Sequence, residues 1–399
     1  MSEPVFKDLL VLELASVLAG PSVGQFFAEL GATVIKVENA ATRGDVTRMW
    51  KMRTEDAATD VSAYFSAANW GKQAVALDIT SPAALTALHR LVAKADIVIA
   101  SYKPGDAQKL QVDYSTLNQI NPQLIYGHIT GYGTDDPRAG YDAVVQAESG
   151  FMYMNGEAEG APTKMPVALV DVLAAHQLKE GILTALYQRE RTGKGQYVTV
   201  SLLQAAVSAL ANQATNYLVA GHNPQRMGSE HPNIVPYGSV FTTCDGLQLV
   251  LAIGDDRQFR RLCQVLDAPG IAHDPAFSTN SARVKHRDEI NAKLRELIGQ
   301  QEREPLLQTL HELHVPAGAV NCVADVFRLP QARQMLLQSD GAASGVRQVA
   351  FRGTDTGVSE EVAPPPSYAQ DTARVLQEVC GLDEKQLQEL RQPVSGPQV

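Results

Sequence analysis

The sequence predicts an α/β protein built on a parallel sheet, with a second, smaller α+β domain. Three observations carry this expectation. Short apolar runs alternate with helical stretches over the first 130 residues, those runs are largely continuous rather than alternating, and a separate strand-and-helix block occupies about 240–325. Continuous apolar strands linked through helices fit a parallel sheet covered on both faces.

LLVLEL (9–14) is the first strand, followed by Gly20-Pro21 and a helical GQFFAEL that ends at Gly31, where glycine suits a left-handed C-terminal position. TVIKVE (33–38) is the second strand and QAVALDI (73–79) the third. A helix then opens with Ser81 as cap and Pro82 at the first helical position, ends near Ala95, and leads into DIVIAS. LIYGHIT (124–130) is a further strand, and the Gly-rich TGYGTDDPRAGYD connects it to long helices. One helix runs from Asp171 to about Arg191. A second, from Leu202 to Ala220, follows the short strand QYVTV. Asn223-Pro224 breaks the pattern, LQLVLAI begins the smaller domain, and APPPS (363–367) forms a rigid connector before a last helix, Asp371 to Leu390. The polar tail QPVSGPQV is expected to be mobile.

A formal charge of −10 argues against a general nucleic-acid binder, whose footprint is basic. Cys244, Cys263, Cys322 and Cys380 are isolated, without a CxxC pair or metal-ligand spacing, and read as free thiols of a reducing, cytoplasmic compartment. Glu13 interrupts the apolar start and Asp8 follows Lys7 where a basic segment would open a signal peptide, so this stretch reads as a strand. No uninterrupted apolar run reaches the roughly 18 residues that crossing a membrane needs.

GxGxxG after a strand, GxxxxGK[ST], GxSxG and HExxH are all missing, and HELH (311–314) reads as a solvated face. His128 and His176, in apolar surroundings, read as core histidines. Asp171 differs, because it interrupts the mostly apolar MPVALVDVLAAHQ. A carboxylate there must be paired, capped or functional. At a helix start, free N–H groups and the dipole would hold it as an anion, the form a carboxylate nucleophile requires. On these residues alone, a capping aspartate and a catalytic one both stand.

Eight segments in order resemble the class III coenzyme A transferases, the family of formyl-CoA transferase and carnitine-CoA transferase. They include VLAGPSVGQFFAELGATVIKVE (17–38), GDVTRMW (44–50), NWGKQAVALDIT (69–80), KPGDAQKL (103–110), GYDAVVQAESG (140–150), RERTGKGQYVTVSL (189–202) and DPAFSTNSARVKHR (274–287), with TGYG (130–133) between. The resemblance implies a Rossmann-like large domain, an interlocked homodimer, and CoA or acyl-CoA as substrate with no tightly bound cofactor. It divides the chain into 1–220, a linker 221–240, a small domain 241–325, a linker 326–366 and a segment 367–399 that returns to the large domain. Asp171 falls at the catalytic aspartate and, by implication, attacks an acyl-CoA thioester through anhydride and aspartyl-CoA intermediates. Tyr132 is a candidate oxyanion donor. Val17, Leu18, Ala19, Asn39, Lys72, Ser101, Tyr102, Lys109 and Thr130 match CoA contacts, with Lys72 and Lys109 as phosphate partners and Tyr102 able to stack on adenine.

The sequence departs from formyl-CoA transferase at Leu18, Asn39 and Ser101, where glutamine, arginine and asparagine stand. Its tetraglycine loop is replaced by GSEHPNIVPYG (228–238). These departures make formyl-CoA and oxalate poor candidates. Glu230, His231 and Asn233 in the new loop are candidates to read the distal group of a larger acid, and similar HPNIVPY segments occur in relatives acting on dicarboxylic acids. Two alternatives are an inactive CoA-binding relative and an α-methylacyl-CoA racemase. The racemases need a GHD histidine where this chain has Gly140-Tyr141-Asp142, and a tyrosine with a pKa of about 10 is a poor substitute.

Overall fold

The apolar runs of the first half become one six-stranded parallel sheet in the computed structural model, which describes residues 3–354 and 357–391. Its strands are β1 (Leu10–Glu13), β2 (Thr33–Asn39), β3 (Lys72–Leu77), β4 (Ile97–Ala100), β5 (Ile125–Thr130) and β6 (Gln196–Ser201), in the order β3-β2-β1-β4-β5-β6. The polar tail 392–399 lies outside the described residues.

Successive residues of each strand point to opposite faces, and both faces are apolar here. Val11, Val34, Ile97, Ile99 and Ile125 pack under the helices Ala19–Glu29 and Leu169–Thr192. Leu12, Ile35, Val75 and Val98 pack on the other side with the helix Pro82–Val92 and with Val375, Leu376 and Leu387 of the C-terminal helices. Ser81 and Pro82 stand where the sequence places them, although the Ser81 side chain makes no capping hydrogen bond. Gly31 is left-handed, as expected for the end of its helix. The stretch 202–220 is two helices, Leu202–Ala209 and Ala211–Ala220, because Ala211 adopts a positive φ of 46°.

This sheet belongs to a first compact unit made of residues up to Ser149, Met165–Val219 and Gln334 onward. The stretch 326–366, expected as a connector, contributes a hairpin to that unit, with Leu336–Ser339 (β10) antiparallel to Ala342–Val346 (β11).

The second unit comprises Gly150–Lys164 and Ala220–Arg333. Its antiparallel sheet joins β7 (Tyr237–Thr242), β8 (Gln248–Ala252) and β9 (Ala317–Ala319). Phe241, Leu249 and Leu251 from this sheet pack with Phe259, Leu262, Leu294 and Leu310 from the surrounding helices. Among the described residues, no helix is long and apolar enough to cross a membrane.

Candidate active site

The strand order changes direction between β1 and β4, and loops leaving the carboxyl ends of strands diverge at such a point and leave a crevice. Here β1 runs into Leu14–Leu18 and β4 into Ser101–Pro104. The two loops frame a cavity of about 240 Å³. Ile129–Gly131 at the end of β5, the segment 138–142 and Asp171 complete its wall. Through Ser16 and Tyr102 it meets a second cavity of about 990 Å³ that reaches Asn39, Arg43 and Leu77–Thr80. Two glycines shape the wall of the first cavity. A Cβ on Gly131 would lie 2.5 Å from the Gly140 Cα, so the 138–142 segment crosses the end of β5 at backbone contact.

Asp171 occupies the third position of its helix, which begins at Leu169, two residues before the start that the sequence suggested. The cap comes from elsewhere. Asp142 Oδ1 accepts the Val170 N–H at 2.8 Å, while its other oxygen accepts from Gln146 Nε2 at 2.7 Å. Among the described residues, no hydrogen bond reaches the Asp171 carboxylate. Burial, with the Asp142 charge beside it, pushes its pKa up to about 7. This corrects the expectation that the helix end holds Asp171 as a firm anion. The Val170 N–H at the helix start serves Asp142, and Asp171 is left poised between acid and base near neutral pH.

Of the other residues singled out in the sequence, Val17, Leu18, Ala19, Ser101, Tyr102 and Thr130 line the Asp171 cavity, and Asn39 lines the larger one. Asn39 also caps its own turn, accepting from Ala41 N at 2.9 Å. Burial pushes the Tyr102 phenol up to about 12. Tyr132 stands outside both cavity walls, its ring 3.8 Å under the Arg138 guanidinium. Lys109 is an exposed partner of Asp106 and lines neither cavity.

Lys72 corrects the sequence reading most sharply. Its ammonium is fully buried on Glu13 (2.6 Å), the Pro21 carbonyl and Asn69 Oδ1 (2.9 Å each), so it has no donor free for a phosphate. Glu230, His231 and Asn233 belong to the second unit. The Glu230 carboxylate is committed there to Ser239 Oγ, Arg287 and Asn291, which ties it into the framework of its own turn.

Residues 6–372 match the family model described as CoA-transferase family III. The chain belongs to that family. The succinate–glutarate CoA-transferase of Agrobacterium fabrum is 39% identical over 389 residues, covering 94% of this chain and 96% of that protein. The human succinyl-CoA:glutarate CoA-transferase is 33% identical, covering 96% of this chain and 88% of its own length. The crystal structure of a CAIB/BAIF family protein from Brucella suis superimposes with a TM-score of 0.84 at 40% identity, covering 95% of this chain and all of that one.

This CoA-transferase therefore presents residues that the sequence did not single out. Arg43 in the larger cavity and Lys103 in the smaller are cations with no ion-pair partner among the described residues. Arg138 is paired with Asp136 at 2.9 Å. The Tyr64 phenol is raised by burial and by the fields of Asp171, Asp142 and Asp45, which places it electrostatically next to the site. Asp142 closes the Gly-rich connection TGYGTDDPRAGYD, and nothing in the sequence marks it as the cap of a helix that begins at Leu169. Nothing in the sequence separates Arg43 and Lys103 from ordinary surface cations.

Proposed function

We propose that this CoA-transferase moves CoA from succinyl-CoA, or a similar short-chain acyl-CoA, to a free short-chain dicarboxylate, with Asp171 as nucleophile. One observation carries the reading. A half-buried carboxyl, pushed up to about 7, lines a small cavity that shares Ser16 and Tyr102 with a larger one of the size that ligand pockets occupy. The two relatives described above carry succinate or succinyl-CoA and glutarate in their names, which supports the dicarboxylate class.

The deprotonated Asp171 attacks the thioester carbonyl, and CoA leaves as thiolate with a mixed anhydride formed. The thiolate attacks the aspartyl carbonyl, expels the donor as carboxylate and leaves an aspartyl-CoA thioester. The acceptor carboxylate attacks that thioester, the thiolate departs again, and its attack on the new acyl group yields product and free Asp171. Exclusion of water by substrate seated in this small cavity would favour the sequence by limiting hydrolysis of both activated acyl groups. Arg43 and Lys103, rather than the buried Lys72, are the cations placed to meet CoA phosphates. The residues lining the Asp171 cavity include no histidine, which speaks against the two-base chemistry of a racemase.

A homodimer forms part of this reading. Its support is the helix Ala211–Ala220, which buries none of its residues and leaves Leu218 76% and Val219 84% exposed. The four free cysteines fit a reducing cytoplasm. Incubation with succinyl-CoA and a panel of dicarboxylates should give new acyl-CoA masses with the parent and none with Asp171→Ala. Persistent transfer by that variant refutes the assignment.

A further inference from the structure

A buried cluster of four charges grips the loop that forms the floor of both cavities. Glu13, Lys36, Lys72 and Asp45 are each at most 5% exposed, two of each sign. Glu13 joins the lysines, with Oε1 on Lys36 at 2.9 Å and Oε2 on Lys72 at 2.6 Å, and Lys36 also meets Asp45 at 2.9 Å. Two members then reach the chain between β1 and the following helix, and a third reaches the first turn of that helix. Lys36 donates to the Ala15 carbonyl (3.0 Å), Asp45 Oδ2 accepts the Val17 N–H (3.2 Å), and Lys72 donates to the Pro21 carbonyl (2.9 Å).

Stability alone is a weak reason for such a cluster, since well-packed apolar side chains of similar volume often serve as well or better. The middle contact suggests another reason. Val17 has φ of 72°, a left-handed conformation that is an outlier for a β-branched residue. Backbone of this kind persists only where its surroundings over-determine it, and it gathers at functional sites. Val17, Leu18 and Ala19 all line the Asp171 cavity. Relaxation of Val17 to negative φ would rotate the adjoining peptides and move that wall.

We propose that Asp45, held by Lys36, is a positioning residue for acyl transfer. It keeps Val17 left-handed and so fixes the Ser16–Ala19 wall of the cavity facing Asp171. The inference rests on the transferase reading and adds a role that the sequence did not assign to Asp45 or Lys36. Lys72, expected at a phosphate, serves in the same framework.

A double-mutant cycle with glycine at position 17 tests this, because glycine adopts positive φ without strain. With Val17 present, Asp45→Ala should lower kcat roughly 30-fold and leave KM for acyl-CoA within about threefold, the strain at one residue setting the scale. In a Val17→Gly background, the same Asp45→Ala should cost no more than about threefold. Equal losses in both backgrounds, or full activity of Asp45→Ala, overturn the proposal. Should Asp45→Ala fail to fold, the crystal structure of Val17→Ala decides. Residue 17 should stay left-handed with its N–H on Asp45, and a negative φ beside an intact cluster overturns the proposal. A parent that transfers nothing would sink the transferase reading before any variant is made. The Val17→Ala structure would still decide whether the cluster imposes the conformation.

Discussion

Replacing Asp171 with asparagine should stabilise the protein while abolishing transfer, and the stabilisation should depend on pH. The carboxyl is raised from 3.8 to about 7 by burial and by Asp142. Its folded value lies above its unfolded one, so the folded state binds the proton more tightly between those two limits. Stability contributed by the protonated form is present in full below about 4, falls as pH rises, and is gone above about 7. At about 1.4 kcal/mol per pKa unit the ionised carboxylate costs the fold up to about 4 kcal/mol, and partial exposure with local relaxation reduces this to about 2. Asparagine keeps the shape without the charge. With an unfolding entropy of about 2.1 cal/mol/K per residue, the variant should melt about 2–5 °C above the parent at pH 8. The difference should shrink toward zero near pH 4. Scanning calorimetry of both proteins at several pH values measures it. A variant that is no more stable at pH 8 than at pH 4, relative to the parent, refutes the claim that Asp171 is held in an environment hostile to its charge.

Three further outcomes follow from the same geometry. The kcat/KM for acyl-CoA should climb about tenfold per pH unit on the acid side and level off near 7, and Asp142→Asn, which keeps an oxygen for Val170, should move that limb to lower pH. A limb unmoved by Asp142→Asn contradicts the part assigned to that charge. Arg43→Ala and Lys103→Ala should each raise KM for acyl-CoA about 10–100-fold, as expected for a lost charged contact, whereas Lys109→Ala should not. The reverse pattern in steady-state kinetics would restore Lys109 as the phosphate partner. Gly131→Ala should cut transfer strongly, because its Cβ would sit 2.5 Å from Gly140 Cα and force the 138–142 segment away. Parent-like rates for that variant would show that this wall is not needed.

Much of the sheet was legible because most of its strands are apolar runs and two of the intervening helices carry a start or stop residue, Pro82 and Gly31. The helices Asp106–Lys109 and Tyr114–Ile120 went unread. The hairpin 336–346 was not legible either, since LLQSDGAASGV mixes small and polar residues and its strands are defined by pairing with each other. Asp171 stood out as a lone charge in an apolar segment. Its raised pKa did not, because the competing cap, Asp142, lies 29 residues earlier and meets the helix only in three dimensions. Lys72 was misread for an instructive reason. Taken singly it looks like a surface lysine, yet Glu13, Lys36 and Lys72 each stand in a mostly apolar strand of one buried sheet. Charges in strands covered on both faces must find each other, and that pattern was the signal available. Arg43 and Lys103 carried none, because what sets them apart is the lack of a partner near a cavity.

Mass spectrometry of peptides from enzyme incubated with succinyl-CoA and quenched with hydroxylamine tests the central claim most directly. The account predicts a hydroxamate on the peptide that contains Asp171, formed only when acyl-CoA is present and missing from Asp171→Asn. A fully active enzyme that never carries this mark, or carries it on another residue, would contradict it.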